Sequence, residues 1–182
     1  MKDRFTVTSQ AFPELKLTTI SRHNLEDLRV WKNTNRHWFF HDKLISPAQQ
    51  LAWFSCYLDR PKDYMFMVVH RDTEIGCMAI RRDGEVLDIY NVILGHTEMS
   101  CKGFMGKGMS LMIAFARKTF SLPITLKVLI SNPAVNWYIQ QGFEETYRAD
   151  NYLGMTLTGW LGLDVEVQHL GEYTNDSSWE NV

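Results

Sequence analysis

A run of glycines between residues 103 and 108 is the feature of this sequence with the clearest chemical meaning. Gly103, Gly106 and Gly108 follow an apolar segment that ends at Leu94 and precede an amphipathic segment that begins near Met109. A strand that turns through glycines into a helix presents unpaired backbone N–H groups and the positive end of the helix dipole at one point. The spacing therefore predicts an anion site, and phosphate is the favoured anion.

The same glycines are also compatible with two other interpretations, a tight turn without a ligand and a P-loop. Glycines before a helix often form a tight turn with no ligand, and spacing alone does not separate that turn from a phosphate loop. A Walker-type loop needs Ser or Thr directly after Gly-Lys, and here Gly108 follows Lys107. The sequence thus argues against a P-loop and leaves the simple turn as the alternative.

The strand that must hold this turn in place has an uneven polarity. From Asp88 to Leu94 the residues first alternate between polar and apolar and then become continuously apolar. Alternation is typical of a half-exposed strand, and continuous apolar sequence of one that is covered on both faces. We expect the strand to enter the interior from an exposed end at Asp88. There Asp88 is either an acid–base group or a solvated cross-strand partner of Arg81 or Arg82.

The remaining elements follow from periodicity and from helix and turn signals. Helices are expected after Asn24, after the Ser46-Pro47 capping box, near Met109 and after Asn132. Strands are expected at 14–20, 64–70, 74–81, 85–94, 124–130, 143–148 and 152–158, with a last one at 161–168. This order predicts a mixed α+β fold with one twisted sheet of about seven strands and about four helices. Residues 1–170 are expected to form one domain and residues 171–182 a polar tail.

Composition restricts the classes of partner. The chain has 182 residues and a formal net charge of −2, and its basic residues form no cluster longer than Arg81-Arg82, which argues against nucleic acid. No apolar run approaches the ~18 residues of a membrane span, so we expect no membrane partner. Three cysteines without metal-ligand or disulfide spacing predict no metal site and a cytoplasmic protein, with Cys101 buried.

Three motifs together resemble the GNAT superfamily of N-acetyltransferases, within it the subgroup with ribosomal-protein and amino-sugar acetyltransferases. The run from Gly103 to Gly108 is similar to the family's Arg/Gln-x-x-Gly-x-Gly/Ala diphosphate loop, with Gly in the first position. The segment from Asn132 to Phe143 is similar to the Asn-x-x-Ala-(x)n-Tyr-x-x-x-Gly-Phe ending of the family. The segment that begins at Asp88 resembles the family's fourth strand, where an acidic residue often stands.

The resemblance implies acetyl-CoA as co-substrate and direct acetyl transfer to a primary amine. Asp88 would take the proton of the amine, through water, with His96 and Glu98 as alternative bases. Tyr138 would protonate the departing thiolate, and a freed N–H of Val92 or Ile93 would stabilise the oxyanion. The fourth and fifth strands would splay apart to admit the cofactor. The implied cofactor contacts are Val92, Ile93, Leu94, Gly103, Phe104, Met105, Gly106, Lys107, Gly108, Met109, Asn132 and Asn136.

The acceptor is less well defined by the sequence. The aromatic connector that begins at Arg36 offers Arg36, His37 and His41 as polar contacts, and Tyr90 is a further candidate; Trp38 is expected in the core. A small-molecule amine is favoured, such as an amino sugar or its nucleotide-linked form, because no acidic run is present to attract a basic protein tail. A protein N-terminus and a catalytically silent acyl-CoA-binding module are the alternatives. The oligomeric state is left open, with a homodimer as one alternative.

Overall fold

The computed structural model describes residues 2–160 and 162–173. In this part of the chain one sheet contains nine strands, in the order β7-β8-β6-β5-β4-β3-β2-β1-β9. The strands are β1 (Asp3–Thr8), β2 (Leu15–Thr19), β3 (Asp63–His70), β4 (Thr73–Asp83), β5 (Val86–Leu94), β6 (Ile124–Leu129), β7 (Phe143–Arg148), β8 (Tyr152–Leu157) and β9 (Glu166–Glu172). The α-helices are α1 (Leu25–Thr34), α2 (Pro47–Leu58), α3 (Phe104–Thr119) and α4 (Val135–Gln140).

The mixed α+β class is confirmed, but the expected strand count of about seven is too low. Strand β1 was missed, although Phe5 and Val7 alternate with polar residues and are buried in the sheet. The last strand begins at Glu166 rather than at Leu161, which lies outside the described residues. β1 pairs with both β2 and β9, so its strand character depends on a partner from the far end of the chain. A local pattern of six residues does not reveal such a partner.

β9 also changes the boundary that was expected for the tail. The strand continues through Gly171 to Glu172, so the first two residues of the predicted polar tail are part of the sheet. Tyr173 follows the strand, and residues 174–182 of the predicted tail lie outside the described residues. In the part of the chain that the structure describes, no helix is long and apolar enough to cross a membrane.

Each face of the sheet carries its own apolar cluster. On one face α3 packs through Met109, Met112 and Phe115 against the sheet. On the other face α1 and α2 contribute Trp31 and Phe54, among others. The two helices of this second face are therefore on the opposite side of the sheet from α3.

Local signals fix the ends of α2 and α4. Ser46 and Gln49 form the predicted capping box, with Gln49 N–H donating to Ser46 Oγ (3.2 Å) and Ser46 N–H to Gln49 Oε1 (2.8 Å). Asn132 accepts the N–H of Ala134 on its side chain (2.9 Å), so α4 starts later than predicted, at Val135. Gly142 follows the last turn with φ +92°, a left-handed conformation that favours glycine.

The decisive feature of the sheet is the divergence of β5 and β6. These parallel strands pair only at their beginnings, up to Ile89 opposite Leu126. Beyond that point β5 continues to Leu94 and β6 to Leu129 without pairing to each other. The splay that the family resemblance implies between its fourth and fifth strands is therefore present between β5 and β6.

A β-bulge in β5 accounts for the divergence. Tyr90 pairs with Ala79 and Ile93 with Cys77, so two residues, Asn91 and Val92, stand opposite one on β4. Asn91 has φ +49°, in the left-handed region. A bulge bends its strand and disrupts the ladder locally. In β5 it turns the second half of the strand away from β6 and opens the gap.

Candidate functional site

The first turn of α3 presents the unpaired amides that the glycine run predicted, but they belong to different residues. The helix begins at Phe104 and not near Met109, so Gly106 and Gly108 are helical. The first N–H that bonds back into the helix is that of Lys107, to the Gly103 carbonyl (3.1 Å). The amides of Phe104, Met105 and Gly106 are thus the ones free to bind an anion.

The early start of α3 is explained by the turn that precedes it. Gly103 at the N-cap position has φ +77°, and Cys101 two residues before it has φ +60°, so the chain reverses before the second glycine. A Cβ at Gly108 would lie 3.1 Å from Met78 Cε and 3.2 Å from Val68 Cγ1, so α3 packs closely on the sheet at this glycine. Cys101 is exposed, contrary to the expectation of a buried cysteine, because this turn lies at the surface.

This turn lies beside the gap between β5 and β6. A Cβ at Gly76, which pairs with Leu94 at the end of β5, would be 3.1 Å from Met105 Sδ. On the other side, a Cβ at Gly106 would be 3.1 Å from Gln141 Oε1, at the end of α4. The first turn of α3 therefore reaches from the end of β5 to the end of α4. A diphosphate held by its amides would have the gap next to it.

The other predicted cofactor contacts fall into two groups. Val92, Ile93 and Leu94 lie on the part of β5 that has no partner on the β6 side, where backbone groups are available to a ligand. Asn132 bonds the Trp38 carbonyl through Nδ2 (3.3 Å), and Asn136 is exposed on α4. The side chain of Asn132 is thus occupied in holding the connector between α1 and α2.

Lys107 and Phe104 have partners that were not predicted. Lys107 Nζ forms an ion pair with Glu14 Oε1 (2.6 Å), which keeps its ammonium beside the first turn of α3. The ring of Phe104 stacks on that of His70, with 3.9 Å between centroids. His70 stands at the end of β3 and had no signal in the sequence that placed it here. It adds an imidazole to the surroundings of the free amides.

Tyr138 lies on α4 with its ring in the core. It packs edge-to-face against Trp137 and Phe143, and its hydroxyl makes no hydrogen bond within the described residues. Burial raises the pKa of the Tyr138 phenol above its ordinary value of 10.0, so the hydroxyl is protonated at neutral pH. A protonated phenol without a partner is available to donate to a nearby sulfur.

Asp88 lies at the closed end of the gap. Its Oδ2 accepts a hydrogen bond from Arg81 Nη2 (2.9 Å), so Asp88 does form the cross-strand pair with Arg81 that is the alternative to an acid–base role. Burial raises the pKa of the Asp88 carboxyl, and the attraction of Arg81 opposes this effect. A carboxylate with a raised pKa is a stronger base than an ordinary aspartate, and its second oxygen is not engaged by Arg81.

His96 and Glu98 are far from Asp88. They bond to each other at the surface, His96 Nδ1 to Glu98 Oε1 (2.8 Å), just past the end of β5. Asp88 is near the start of the same strand, and the intervening residues span on the order of 20 Å. Asp88 therefore lies at one end of the gap and the His96–Glu98 pair at the other, so they are mutually exclusive as the base for one reacting amine.

The aromatic connector crosses the gap on the face of α1 and α2. The Trp38 carbonyl is bonded to Asn132, beyond the end of β6, and the ring of Phe40 contacts that of Tyr152 at the start of β8 (5.4 Å). Phe39 lies against Lys32 of α1, whose Nζ bonds Asn91 at the bulge. Trp38 is half-buried and belongs to neither core cluster, contrary to expectation, because the connector spans an opening.

The predicted acceptor contacts are only partly brought together. Arg36, His37 and His41 are exposed on the connector, beside the gap. Tyr90 is placed differently, because its hydroxyl donates to the buried Asp63 Oδ1 (2.5 Å) and Arg81 covers its ring (4.6 Å to the centroid). The polar end of Tyr90 is thus already used inside the protein.

A cavity lies away from the gap, on another part of the sheet. A cavity of about 850 Å³ is lined by residues of β1, β9 and the ends of α2 and α3, and it contains none of the predicted site residues. Within residues 2–160 and 162–173, no group of three or more His, Cys, Asp or Glu side chains is placed to hold a metal ion.

No protein-family model and no curated protein sequence matches the chain. Solved structures do match it. The spermidine N-acetyltransferase of Vibrio cholerae in complex with CoA and spermine has a TM-score of 0.65 and 19% identity, over 79% of this chain and 92% of that one. Apo FdhC, a nucleotide-linked sugar GNAT, has a TM-score of 0.67 and 16% identity, over 79% of this chain and 85% of that one.

A third match is RimL, a ribosomal alpha-N-protein acetyltransferase, in complex with coenzyme A. Its TM-score is 0.62 at 10% identity, over 79% of this chain and 92% of that one. These three proteins share a fold but act on different acceptors, as their names state. A likeness at such identities identifies the architecture and leaves the chemistry to be argued from the site. The splayed strands, the helix that begins beside them and these matches show together that the chain has the GNAT acetyltransferase fold.

Proposed function

We propose that the protein is an acetyl-CoA-dependent N-acetyltransferase that transfers the acetyl group directly to a primary amine of a small molecule. The observation that carries the proposal is the gap between β5 and β6, with the free amides of α3 beside one end. A cofactor diphosphate bound to those amides would direct its pantetheine arm along the unpaired edge of β5. Two of the matched structures are complexes with coenzyme A, which supports this choice of cofactor.

The chain's own residues then meet the three demands of the reaction. The acceptor amine is an ammonium at neutral pH, with a pKa near ~10, and Asp88 would accept its proton through water. The oxyanion would be stabilised by a backbone N–H of the bulged part of β5, at Val92 or Ile93. The Tyr138 hydroxyl would donate to the departing thiolate. The pKa of the Tyr138 phenol is raised, so complete proton transfer requires that the pKa of the departing thiol is raised as well. Desolvation of the thiolate in the gap would have that effect.

The direct test is a pair of measurements on the purified protein. Calorimetry should show acetyl-CoA binding at one site per chain, and release of free thiol from acetyl-CoA should depend on an added amine. Binding without amine-dependent thiol release across a broad amine panel would favour the silent acyl-CoA-binding module. Absence of any acetyl-CoA binding would overturn the proposal entirely.

Two matched glycine variants test the position of the diphosphate. Gly103 and Gly84 both have positive φ, +77° and +58°, and a Cβ at either meets no atom within 4 Å. Alanine at each position should cost a similar ~1 kcal/mol of stability, because both force a left-handed backbone. We expect only Gly103→Ala to weaken acetyl-CoA binding, by about tenfold, since it reorients the free amides of α3.

The comparison is made by calorimetry at a temperature where both variants are folded. Gly84 lies in the β4–β5 hairpin, away from the first turn of α3, and Gly84→Ala should bind acetyl-CoA like the wild type. Equal loss of affinity in the two variants would mean that the effect is one of stability. Unchanged affinity in both would remove the first turn of α3 as the diphosphate site.

A further inference from the structure

Lys32 on α1 is a half-buried lysine that has no acidic partner among the described residues. Its Nζ donates to Asn91 Oδ1 (2.6 Å) and lies 3.1 Å from the centroid of the Phe39 ring. Among the described residues Lys32 forms no ion pair, whereas Lys107, in the first turn of α3, is paired with Glu14. An ammonium has three N–H donors, and Asn91 accepts only one of them.

The environment of Lys32 disfavours its own charge. Burial lowers the pKa of Lys32 to about 7. Cys77, the ionisable group that acts on Lys32, does not supply a negative charge, because burial raises the pKa of the Cys77 thiol to about 12. A buried cation without a counter-charge is costly, and a natural protein normally pairs it. An anion placed beside Lys32 would supply the counter-charge that the described residues do not.

The position of Lys32 places that anion in the proposed acceptor site. Asn91, which holds the ammonium, is the bulged residue of β5 beside the gap. Phe39, which covers the ammonium, belongs to the connector that crosses the gap toward β8. A molecule that reaches the gap from the face of α1 and α2 would therefore pass Lys32.

The charge of the connector points the same way. Residues 36–43 contain Arg36 and Lys43 against a single acidic residue, Asp42. Of the acidic groups deeper on this face, Asp88 is paired with Arg81 through one oxygen, and Asp63 accepts a hydrogen bond from Tyr90 on one oxygen. This segment thus carries no excess of acidic groups that would attract a polyamine.

We infer that the acceptor is a small amine that also carries an acidic group, a phosphate or a carboxylate, and that this group pairs with Lys32 Nζ. The inference rests on the proposed acetyl transfer and narrows its substrate class. It separates this protein from the spermidine acetyltransferase that it matches in fold, since a polyamine has no anionic group to offer. An amino-sugar phosphate, a nucleotide-linked amino sugar and an amino acid all satisfy the requirement.

The experiment compares amines that share a scaffold and differ in the acidic group. Each rate is referred to the concentration of neutral amine, because esterification also lowers the pKa of the amino group. The first pair is glucosamine 6-phosphate and glucosamine, and the second is an amino acid and its methyl ester, with spermidine as a polycation. Each is tested by thiol release from acetyl-CoA, and by calorimetric binding in the presence of coenzyme A. The acid-bearing member of at least one pair should have a kcat/KM at least about tenfold above that of its partner.

The variant Lys32→Met keeps the apolar stem and removes the charge. It should lower kcat/KM and affinity for the preferred acid-bearing amine at least about tenfold, while the uncharged counterpart changes less than about twofold. Lys43→Met, which removes an exposed charge from the same connector, is the control and should change neither by more than about twofold. A purely structural role of Lys32 would instead affect both members of a pair equally.

Several results would overturn the inference while leaving acetyl transfer intact. These are a preference for spermidine or for the uncharged amines, equal losses for both members of a pair in Lys32→Met, or no loss at all. Acetylation of Lys32 itself, detected by mass spectrometry, would also overturn it, since an amide carries no charge to pair. If no amine supports thiol release, the proposed function fails. The binding arm then still decides whether Lys32 selects the acid-bearing amine.

Discussion

Tyr138→Phe is expected to lower kcat at least about tenfold, with little change in the dissociation constant of acetyl-CoA. The substitution removes only the hydroxyl, which makes no hydrogen bond within the described residues, and it retains the ring packed against Trp137 and Phe143. Stability should therefore be nearly unchanged. Steady-state thiol release gives kcat, calorimetry gives the dissociation constant, and thermal unfolding confirms that the core is intact.

Tyr64→Phe is the matched control for this prediction. Tyr64 packs against the same core cluster on β3, with its ring edge-to-face to Phe115, and it lies away from the gap. Loss of its hydroxyl should leave kcat unchanged. A Tyr138→Phe enzyme with the kcat of the wild type would remove Tyr138 from the mechanism, and equal losses in the two variants would indicate a general effect on the core.

Asp88→Asn is expected to lower kcat/KM at least about a hundredfold at neutral pH, because the amide accepts no proton. In the wild type the rate should fall as the pH drops through the pKa of Asp88, since only the carboxylate is a base. That pKa is raised by burial, so the acidic limb of the profile should lie above the ~4 of an ordinary aspartate. The pH dependence of kcat/KM measures the limb directly.

Two neighbouring charges shift the pKa of Asp88 in opposite directions, so variants at these positions should move the acidic limb in opposite directions. A loss of structure would not produce opposite shifts. Arg81 lowers the pKa of Asp88 and Asp83 raises it. Arg81→Met should therefore move the acidic limb to higher pH, and Asp83→Asn should move it to lower pH. Asp83 is exposed in the β4–β5 hairpin, so Asp83→Asn also serves as the carboxylate control and should retain most of the activity at neutral pH.

The alternative bases supply the result that would contradict this assignment. His96 and Glu98 lie at the other end of β5 from Asp88. An Asp88→Asn enzyme that keeps more than about half its activity, together with a large loss in Glu98→Gln, would transfer the role to the end of the strand beside α3. The Asp88–Arg81 pair would then be a structural cross-strand contact.

Features that depend on near neighbours in the chain were predicted well. The capping box of Ser46 and Gln49 and the left-handed Gly142 after α4 are as expected. The motif resemblance placed the free amides beside the diverging strands, although the helix begins at Phe104 rather than near Met109. Helix caps and tight turns are set by groups within a few residues, which is why a single sequence reveals them.

Features that depend on distant partners were predicted poorly. β1 required β9 from the end of the chain, and Tyr90 was expected at the acceptor although its hydroxyl is bound by Asp63. His70 stacks on Phe104 without any signal in the sequence. Hydrogen bonds and packing between remote segments are decided when the sheet assembles, and no local periodicity records them.

By itself, the sequence determined an α+β fold, a glycine turn that leads into a helix with unpaired first amides, and a candidate tyrosine and aspartate. Only the tertiary structure decided that Lys32 lies half-buried against Asn91 and Phe39, without a counter-charge among the described residues. The reason is physical: the cost of a buried charge depends on every group that surrounds it in space. Those groups come from α1, the connector and the bulge of β5, which meet only in the folded protein.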